Sequence, residues 1–347
     1  MAGGIGSRFW PLSVPEKPKQ FLDILGNGKT LIQMTYDRLL PLVKPENIYV
    51  LTNASYAALV QEQLPALTSN QILTEPQRKN TAPCIAYGAA KIAQLNPEAN
   101  LIVCPSDHLI VKEDRFRAII ETGLKDAADT NSIVTIGINP TQPHTGYGYI
   151  EIDANADRTP GSVSDVKQFR EKPDLQTAMS FLAAGTFFWN SGIFIWKAST
   201  IIGALKNHQT DIYDLFCADA SKYNTPEEQA FVDEAFNKTQ DISIDYAILE
   251  KASNVKVVVS DFDWSDLGTW GSLADHIQKD ADNNALIGEN IHMFGAKNNL
   301  ISSKTNRTVL INGLEDCIVV DSDDVLMILS KKDEQDLKHF VAKIETK

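Results

Sequence analysis

The chain has 347 residues, 22% of them charged and 43% hydrophobic, which is the composition of an ordinary globular protein long enough for a large α/β domain and a smaller appendage. Forty-five acidic against 32 basic side chains leave a net charge of −13. That balance argues against a broad surface for nucleic acid or anionic membrane, so a phosphate-bearing ligand needs a local basic site or a metal. Cys84, Cys104, Cys217 and Cys317 are widely spaced and form no C-x-x-C pair, so no zinc site or disulfide framework is indicated and reduced thiols in a cytoplasm fit. The N-terminus has no basic segment followed by an apolar one, and no run approaches the ~18 apolar residues of a membrane span.

The first stretch, MAGGIGSRFWPLSVPEKPKQF, carries a glycine-rich loop. Gly3, Gly4 and Gly6 remove side chains so that backbone N–H groups can approach an anion, and Arg8 and Lys19 add fixed charge, so phosphate is the natural occupant. Phe9 stands where the dinucleotide fingerprint needs its third glycine, and in DILGNGKT Asp23 stands where a Walker loop needs its first. Such loops hang from a buried strand, and only Met1 and Ala2 precede Gly3. The expectation is that the natural protein begins several residues upstream, with an apolar strand ending at Met1-Ala2.

Strand and helix patterns then alternate. IYVLTN (48–53) reads as a strand followed by a helix to Leu64, and QILTE (71–75) as a strand followed by the Ala-rich helix 81–95. NLIVCPSDH (100–108) and SIVTIGI (132–138) continue the series, which predicts an α/β fold with a Rossmann-like, mostly parallel sheet covered on both faces. After Pro140, GYGYIEID and VSDVKQFREKP read as longer, partly exposed strands, and FFWNSGIFIWKAS as an aromatic strand entering a helix. VKVVVSDFDWSDLGTW (255–270) returns an apolar strand to the core and ends in acidic residues. From about Asn284, short β-rich pieces separated by Asn, Gly and Asp turns predict a small β appendage closed by a helix at 333–344. The expected domains are 1–280 and 281–347.

Asp107 and Asp266 each follow an apolar strand, which in an open sheet places them at the carboxyl edge where ligands bind. Magnesium takes one or two carboxylates plus phosphate oxygens and water, so these two are the candidate metal pair. By position alone each is more often a turn or cap residue than a ligand, and it is the motifs around them that favour function. His108 is read as structural.

GGIGSRFWPLSVPEKPKQF resembles the signature of the sugar-1-phosphate nucleotidyltransferases, in particular the bacterial mannose-1-phosphate guanylyltransferases. EPQRKNTAP (75–83), PSDH (105–108), GYGYI (146–150), FREKP (169–173), NSGIF (190–194), SIDYAILEK (243–251) and WSDLGTW (264–270) follow in that family's order. The resemblance implies transfer of GMP from GTP to mannose 1-phosphate with release of pyrophosphate, assisted by Mg2+, in the cytoplasm. It also implies a C-terminal domain similar to a short left-handed β-helix. Carried over with it are Gly3, Gly4, Gly6, Arg8 and Lys19 as the triphosphate cradle, and Asp107 and Asp266 as the metal ligands. Glu75, Asn80 and Thr81 resemble the base and ribose region, although Lys79 replaces the arginine often found beside them. Gly146, Glu171 and Asn190 are implied sugar contacts, Lys172 the cation for the attacking phosphate, and Asp245 a residue that orients the site or caps a helix. The expected partners are GTP and mannose 1-phosphate, with a homodimer admitted and no nucleic acid or membrane. A glucose-1-phosphate nucleotidyltransferase and a non-catalytic sugar-nucleotide sensor are the alternatives. The tail, with only His292 and His339, is not expected to hold a fused metal-dependent isomerase.

Overall fold

A computed structural model describes the chain apart from Ile5, Thr346, Lys347 and the side chains of Ser7 and Glu345. It divides into two compact units. The first comprises Met1–Gly3, Arg38–Pro105 and Ile110–Trp264, and the second Gly4–Asp37, Ser106–Leu109 and the chain from Ser265 onward. Helix α1 (Leu31–Leu39) spans one of the crossings.

The first unit opens with β1 (Val50–Asn53), α2 (Ala57–Gln63), β2 (Ile72–Glu75), α3 (Thr81–Leu95) and β3 (Asn100–Val103), in the alternation that the sequence predicts. The two-residue strand β4 (Leu109–Ile110) lies at another crossing and leads into α4 (Glu113–Thr130), β5 (Ile133–Ile138), β6 (Tyr149–Glu151), β7 (Val163–Asp165) and β8 (Gln168–Arg170). Then follow α5 (Leu175–Ala184), β9 (Phe187–Lys197), α6 (Ala198–His208), α7 (Thr210–Phe216), α8 (Glu228–Lys238), a π-helical turn Asp245–Leu249 and β10 (Val255–Ser260). β1 pairs parallel to β2 in a two-stranded sheet of their own, and β5 parallel to β10 in a seven-stranded one, but the larger sheet is mixed rather than mostly parallel. The reason is β9, whose eleven residues run antiparallel to β3, β5 and β6, while β7 and β8 pair antiparallel at their own positions. VSDVKQFREKP is accordingly two short strands with different partners, not one long one.

Both faces of the larger sheet's central strands β5, β9 and β10 are buried, which explains their apolar runs. Val257, Val259, Phe194 and Trp196 point to the side covered by α3, α6 and α7, and the intervening Val258, Ile193 and Ile195 to the side covered by α4. Each such fully buried aliphatic or aromatic side chain contributes roughly 1.5–3 kcal/mol. α4 approaches closely through Gly123, where a Cβ would lie 2.6 Å from Ile195 Cδ1. Met1 and Ala2 are tied to two strands: the Ala2 N–H donates to Leu51 O within β1 at 2.7 Å and the Met1 amino group to Cys104 O, just after β3, at 2.9 Å.

In the second unit, β11 (Trp264–Ser265) at its boundary and α9 (Trp270–Ala274) precede a coil of short strands. These are β12 (Ala285–Ile287), β13 (Ile291–Phe294), β14 (Leu300–Ser303), β15 (Val309–Asn312), β16 (Cys317–Asp321) and β17 (Leu326–Ser330). β12, β14 and β16 stack in parallel, β13 stacks parallel on β15, and β17 closes the sheet antiparallel to β16. A buried asparagine ladder fixes the spacing of the turns, with the Asn299 amide donating to Asn284 Oδ1 at 2.9 Å and Asn299 Oδ1 accepting from the Cys317 N–H at 3.0 Å. The closing helix begins as a 3-10 turn at Lys331–Asp336 and becomes α10 (Leu337–Glu345) only after it. Phe9 packs edge-on to Trp270 at 4.9 Å within the core formed by Leu31, Leu300, Ile318 and Val320, so the opening segment clusters with the C-terminal one. Among the described residues, no helix is long and apolar enough to cross a membrane.

Candidate active site

In the second unit the sequence-predicted residues Gly6, Asp107 and Asp266 all adjoin Lys19, the two aspartates at its ammonium and Gly6 at the root of its side chain. Lys19 Nζ lies 2.9 Å from Asp107 Oδ2 and donates to the backbone carbonyls of Asp266 at 2.7 Å and Leu267 at 3.2 Å. An ammonium has three donors, so these bonds employ them all. The lysine expected to face a triphosphate therefore ties two aspartate-bearing segments together. Burial alone would raise the Asp107 carboxyl, but the Lys19 ammonium, helped by His108, holds it below its usual range.

Gly6 makes that placement possible. Its φ is +53°, and a Cβ there would sit 2.5 Å from Lys19 Cβ and 2.9 Å from Ser13 Oγ. Gly4 is different: it is exposed, a Cβ would meet nothing within 4 Å, and its carbonyl accepts from Gln20 Nε2 at 2.9 Å. Arg8 is exposed on the 3-10 turn Ser7–Phe9. The Asp266 carboxylate is oriented by the Gly268 N–H at 3.0 Å. A Cβ on Gly268 would lie 2.9 Å from Asp266 Oδ2, and Leu267 between them has φ +44°. Gly268 escaped the sequence reading, although a glycine two places after an aspartate is the pattern of an Asx turn.

The carboxylates of Asp107, held ionised beside Lys19, and of Asp266, whose backbone carbonyl meets the same lysine, are hard oxygen donors of the kind magnesium takes. Among the described residues, no three His, Cys, Asp or Glu side chains gather to hold a metal on their own. Substrate oxygens and water would have to complete the shell.

In the first unit the predicted nucleotide residues lie at the C-terminal end of β2 and the start of α3. Glu75 is buried, its Oε1 has no hydrogen-bond partner among the described residues, and burial raises its carboxyl against a weaker opposing hydrogen bond from Cys84. Gly3 lies beside it, with a Cβ position 4.0 Å from Glu75 Oε2, and the Gly3 carbonyl accepts from Arg78 Nε at 3.3 Å. Arg78 also donates to the Tyr56 hydroxyl at 2.6 Å, a contact the sequence did not suggest. Asn80 has the unusual φ of +64° and accepts from the Thr81 N–H at 3.0 Å, while Thr81 Oγ1 accepts from the Ile244 N–H at 2.8 Å.

The predicted sugar residues form a second cluster in that unit. Lys172, at φ +43°, pairs with Glu171 at 2.8 Å. Burial pulls the Lys172 ammonium down, but Glu171 and Asp245 outweigh it and hold the group above its usual range. Asn190 donates from Nδ2 to Asp245 Oδ1 at 2.9 Å, and its Oδ1 accepts from Thr135 Oγ1 at 2.8 Å. Asp245, in the first turn of the π-helix, is raised to about 6 by burial and by the Glu171 carboxylate. The Gly146 N–H donates to His144 Nδ1 at 3.1 Å, and a Cβ there would meet the same imidazole at 2.9 Å. Gly148 is the glycine under the cluster, since a Cβ there would be 2.5 Å from Glu171 Oε2 and 3.3 Å from Asn190 Cβ. It belongs to the same GYGYI motif but was not singled out.

Residues 1–283 match the family model described as Nucleotidyl transferase. The alginate biosynthesis protein AlgA of Pseudomonas aeruginosa is 38% identical over 99% of this chain and 71% of its own length. A mannose-1-phosphate guanylyltransferase of Escherichia coli is 36% identical over 99% of this chain and 72% of its own. Among solved structures, one described as a mannose-1-phosphate geranyltransferase from Thermus thermophilus superposes with a TM-score of 0.87 at 28% identity, covering 99% of this chain and 98% of that one.

Proposed function

Because this chain belongs to the nucleotidyl transferase family, we propose that it transfers GMP from GTP to mannose 1-phosphate, giving GDP-mannose and pyrophosphate. A phosphate oxygen of mannose 1-phosphate attacks the α-phosphorus of GTP, and the bond from that phosphorus to the bridging oxygen of pyrophosphate breaks. Catalysis here is a matter of placing two anions together and neutralising them, so no protein nucleophile is needed. The observation that carries the reading is the Lys19 tie, which joins the glycine-bearing segment to Asp107 and to the Asp266 turn.

Gly4, open on its Cβ side, lets backbone N–H groups and Arg8 approach the triphosphate. Lys19 reaches a phosphate only by exchanging one of its present bonds. Asp107 and Asp266 would hold magnesium, which when bound supplies charge neutralisation for the phosphates. Glu75, Asn80 and Thr81, with Gly3, serve the base and ribose. Lys172 holds the attacking phosphate, and Glu171, Asn190 and the backbone near Gly146 bind sugar hydroxyls. The family match ends at residue 283, in support of a separate C-terminal domain from about 281, which we read as left-handed β-helix-like. GTP supply and thiol chemistry suit a cytoplasmic enzyme.

The test is pyrophosphate release across a matrix of nucleoside triphosphates and sugar 1-phosphates. GTP with mannose 1-phosphate should be the fastest pairing. A clear preference for glucose 1-phosphate with UTP or dTTP would replace the substrate assignment, and binding without any turnover would favour a sensor.

A further inference from the structure

Asn190 is gripped at both ends of its carboxamide, and the two grips are unequal. Its Oδ1 accepts from Thr135 Oγ1 at 2.8 Å and more weakly from the Gly192 N–H at 3.3 Å. A hydroxyl both donates and accepts, and Thr135 Oγ1 also lies 3.2 Å from the Ile193 carbonyl. With its proton turned to Ile193, Thr135 would accept from an Asn190 amide rotated by half a turn, so it does not by itself select an orientation. A carboxylate only accepts. Asp245 Oδ1, at 2.9 Å from Asn190 Nδ2, is therefore the stronger of the two groups that fix the orientation of the amide, the other being the weaker, donor-only Gly192 N–H at its oxygen end. The carboxamide oxygen is then filled by two donors and one N–H is left over.

We propose that Asp245 is a positioning residue of the sugar-phosphate site, whose carboxylate locks the Asn190 carboxamide so that its spare N–H is presented as a donor to a sugar hydroxyl. The inference rests on the reading of this cluster as the mannose 1-phosphate end. The groups facing Asp245 support it. Glu171 and Lys172 lie within its electrostatic reach from the segment after β8, and Ser243 bonds it from the loop just before the turn. The π-helical turn that begins at Asp245 is a local irregularity of the kind that recurs at functional sites, because it re-aims a side chain at a cost in backbone regularity. A plain helix-cap role would fix the turn but would have no dependence on Asn190.

The experiment is steady-state kinetics on the full chain with GTP and mannose 1-phosphate, comparing wild type, Asp245→Asn, Asp245→Ala, Asn190→Ala and the double variant Asp245→Ala/Asn190→Ala. Asp245→Ala should raise KM for mannose 1-phosphate about tenfold while KM for GTP stays within about twofold. Asp245→Asn, which keeps the shape but presents either an oxygen or a nitrogen, should lose most of the same discrimination and provides the comparison if the alanine variant fails to fold. In the Asn190→Ala background, Asp245→Ala should add less than about a twofold effect, since the group it orients is gone. Unchanged KM values, an equal loss toward GTP, or full additivity with Asn190→Ala would overturn the proposal. If wild type gives no GDP-mannose, the functional reading falls and this inference with it; normal wild-type turnover with indifferent variants sinks the inference alone.

Discussion

Asp107 and Asp266 look equivalent in sequence, each an aspartate at the end of an apolar strand, yet the structure uses them differently. Asp107 contributes its side chain to Lys19, whereas Asp266 contributes its backbone carbonyl and leaves the carboxylate to the Gly268 N–H. Lys19 is only 5% exposed, so removing the Asp107 charge strands a buried ammonium. We expect Asp107→Asn to cost about 1–3 kcal/mol, a figure discounted because Asp107 itself is partly exposed. Asp266→Asn keeps the backbone carbonyl that Lys19 uses, so it should not strand that ammonium. If both carboxylates hold magnesium, both variants should nonetheless lower turnover by orders of magnitude and need more magnesium for half-maximal rate. Paired melts and magnesium titrations separate the two effects. An Asp107→Asn protein that melts like wild type would show that the Lys19 pair is not a structural tie, and near-normal rates in either variant at limiting magnesium would remove that residue from the metal site.

Elements that depend on local pattern were legible, and those that depend on distant partners were not. The Ala-rich helix expected at 81–95 is found as Thr81–Leu95, because helix periodicity is a local signal. The two-faced burial of β5, β9 and β10 was visible as unbroken apolar runs, but β9's antiparallel insertion was not, since an apolar run carries no direction. Of the candidate site, the identities of Lys19, Asp107, Glu171 and Asn190 could be read from motifs. The positive φ at Lys172 and Leu267, the π turn at Asp245 and the supporting Gly148 and Gly268 arise from tertiary packing and left no local signal strong enough to name them. The π turn has its own energetic consequence. Asp245 in the folded state titrates at about 6, above its ordinary value of 3.8. A raised carboxyl contributes its stability in full below about pH 4 and loses it as the pH rises through about 6, so ionised Asp245 is a cost at neutral pH. Asp245→Asn should therefore raise stability at pH 7.5 by on the order of 1–3 kcal/mol, with the gain shrinking as the pH falls below about 5. Melting curves across that range test it. A gain that is the same at pH 4.5 and 7.5, or no gain at all, would mean that Asp245 is not held ionised against its environment. Stability exchanged for site geometry is the usual pattern where a buried charge is retained.

Across the whole molecule, 45 acidic and 32 basic side chains give −13, and both proposed substrates are polyanions. The range over which that net charge is felt depends on salt, because the Debye length falls from about 30 Å at 0.01 M to about 8 Å at 0.15 M. At low salt an approaching nucleotide meets the field of the entire surface, which repels it. At physiological salt only charges within a few ångströms of it count, and there Arg8 and Lys172 are the cations proposed to receive phosphate. A protein that recruits anions through a broad basic face loses association as salt rises. This one should gain. Raising ionic strength from about 10 to about 150 mM at constant free magnesium should increase kcat/KM for GTP by roughly two- to fivefold. Neutralising the exposed Glu62, Glu121 and Asp129 as Glu62→Gln, Glu121→Gln and Asp129→Asn removes three acidic charges, taking −13 to −10. That triple variant should be faster than wild type at low salt and flatter in its salt dependence, with the two curves meeting near physiological ionic strength. A kcat/KM that falls steadily with salt in both proteins would show instead that short-range cations govern capture at every ionic strength, and that the acidic surface is electrostatically remote from the path the nucleotide takes.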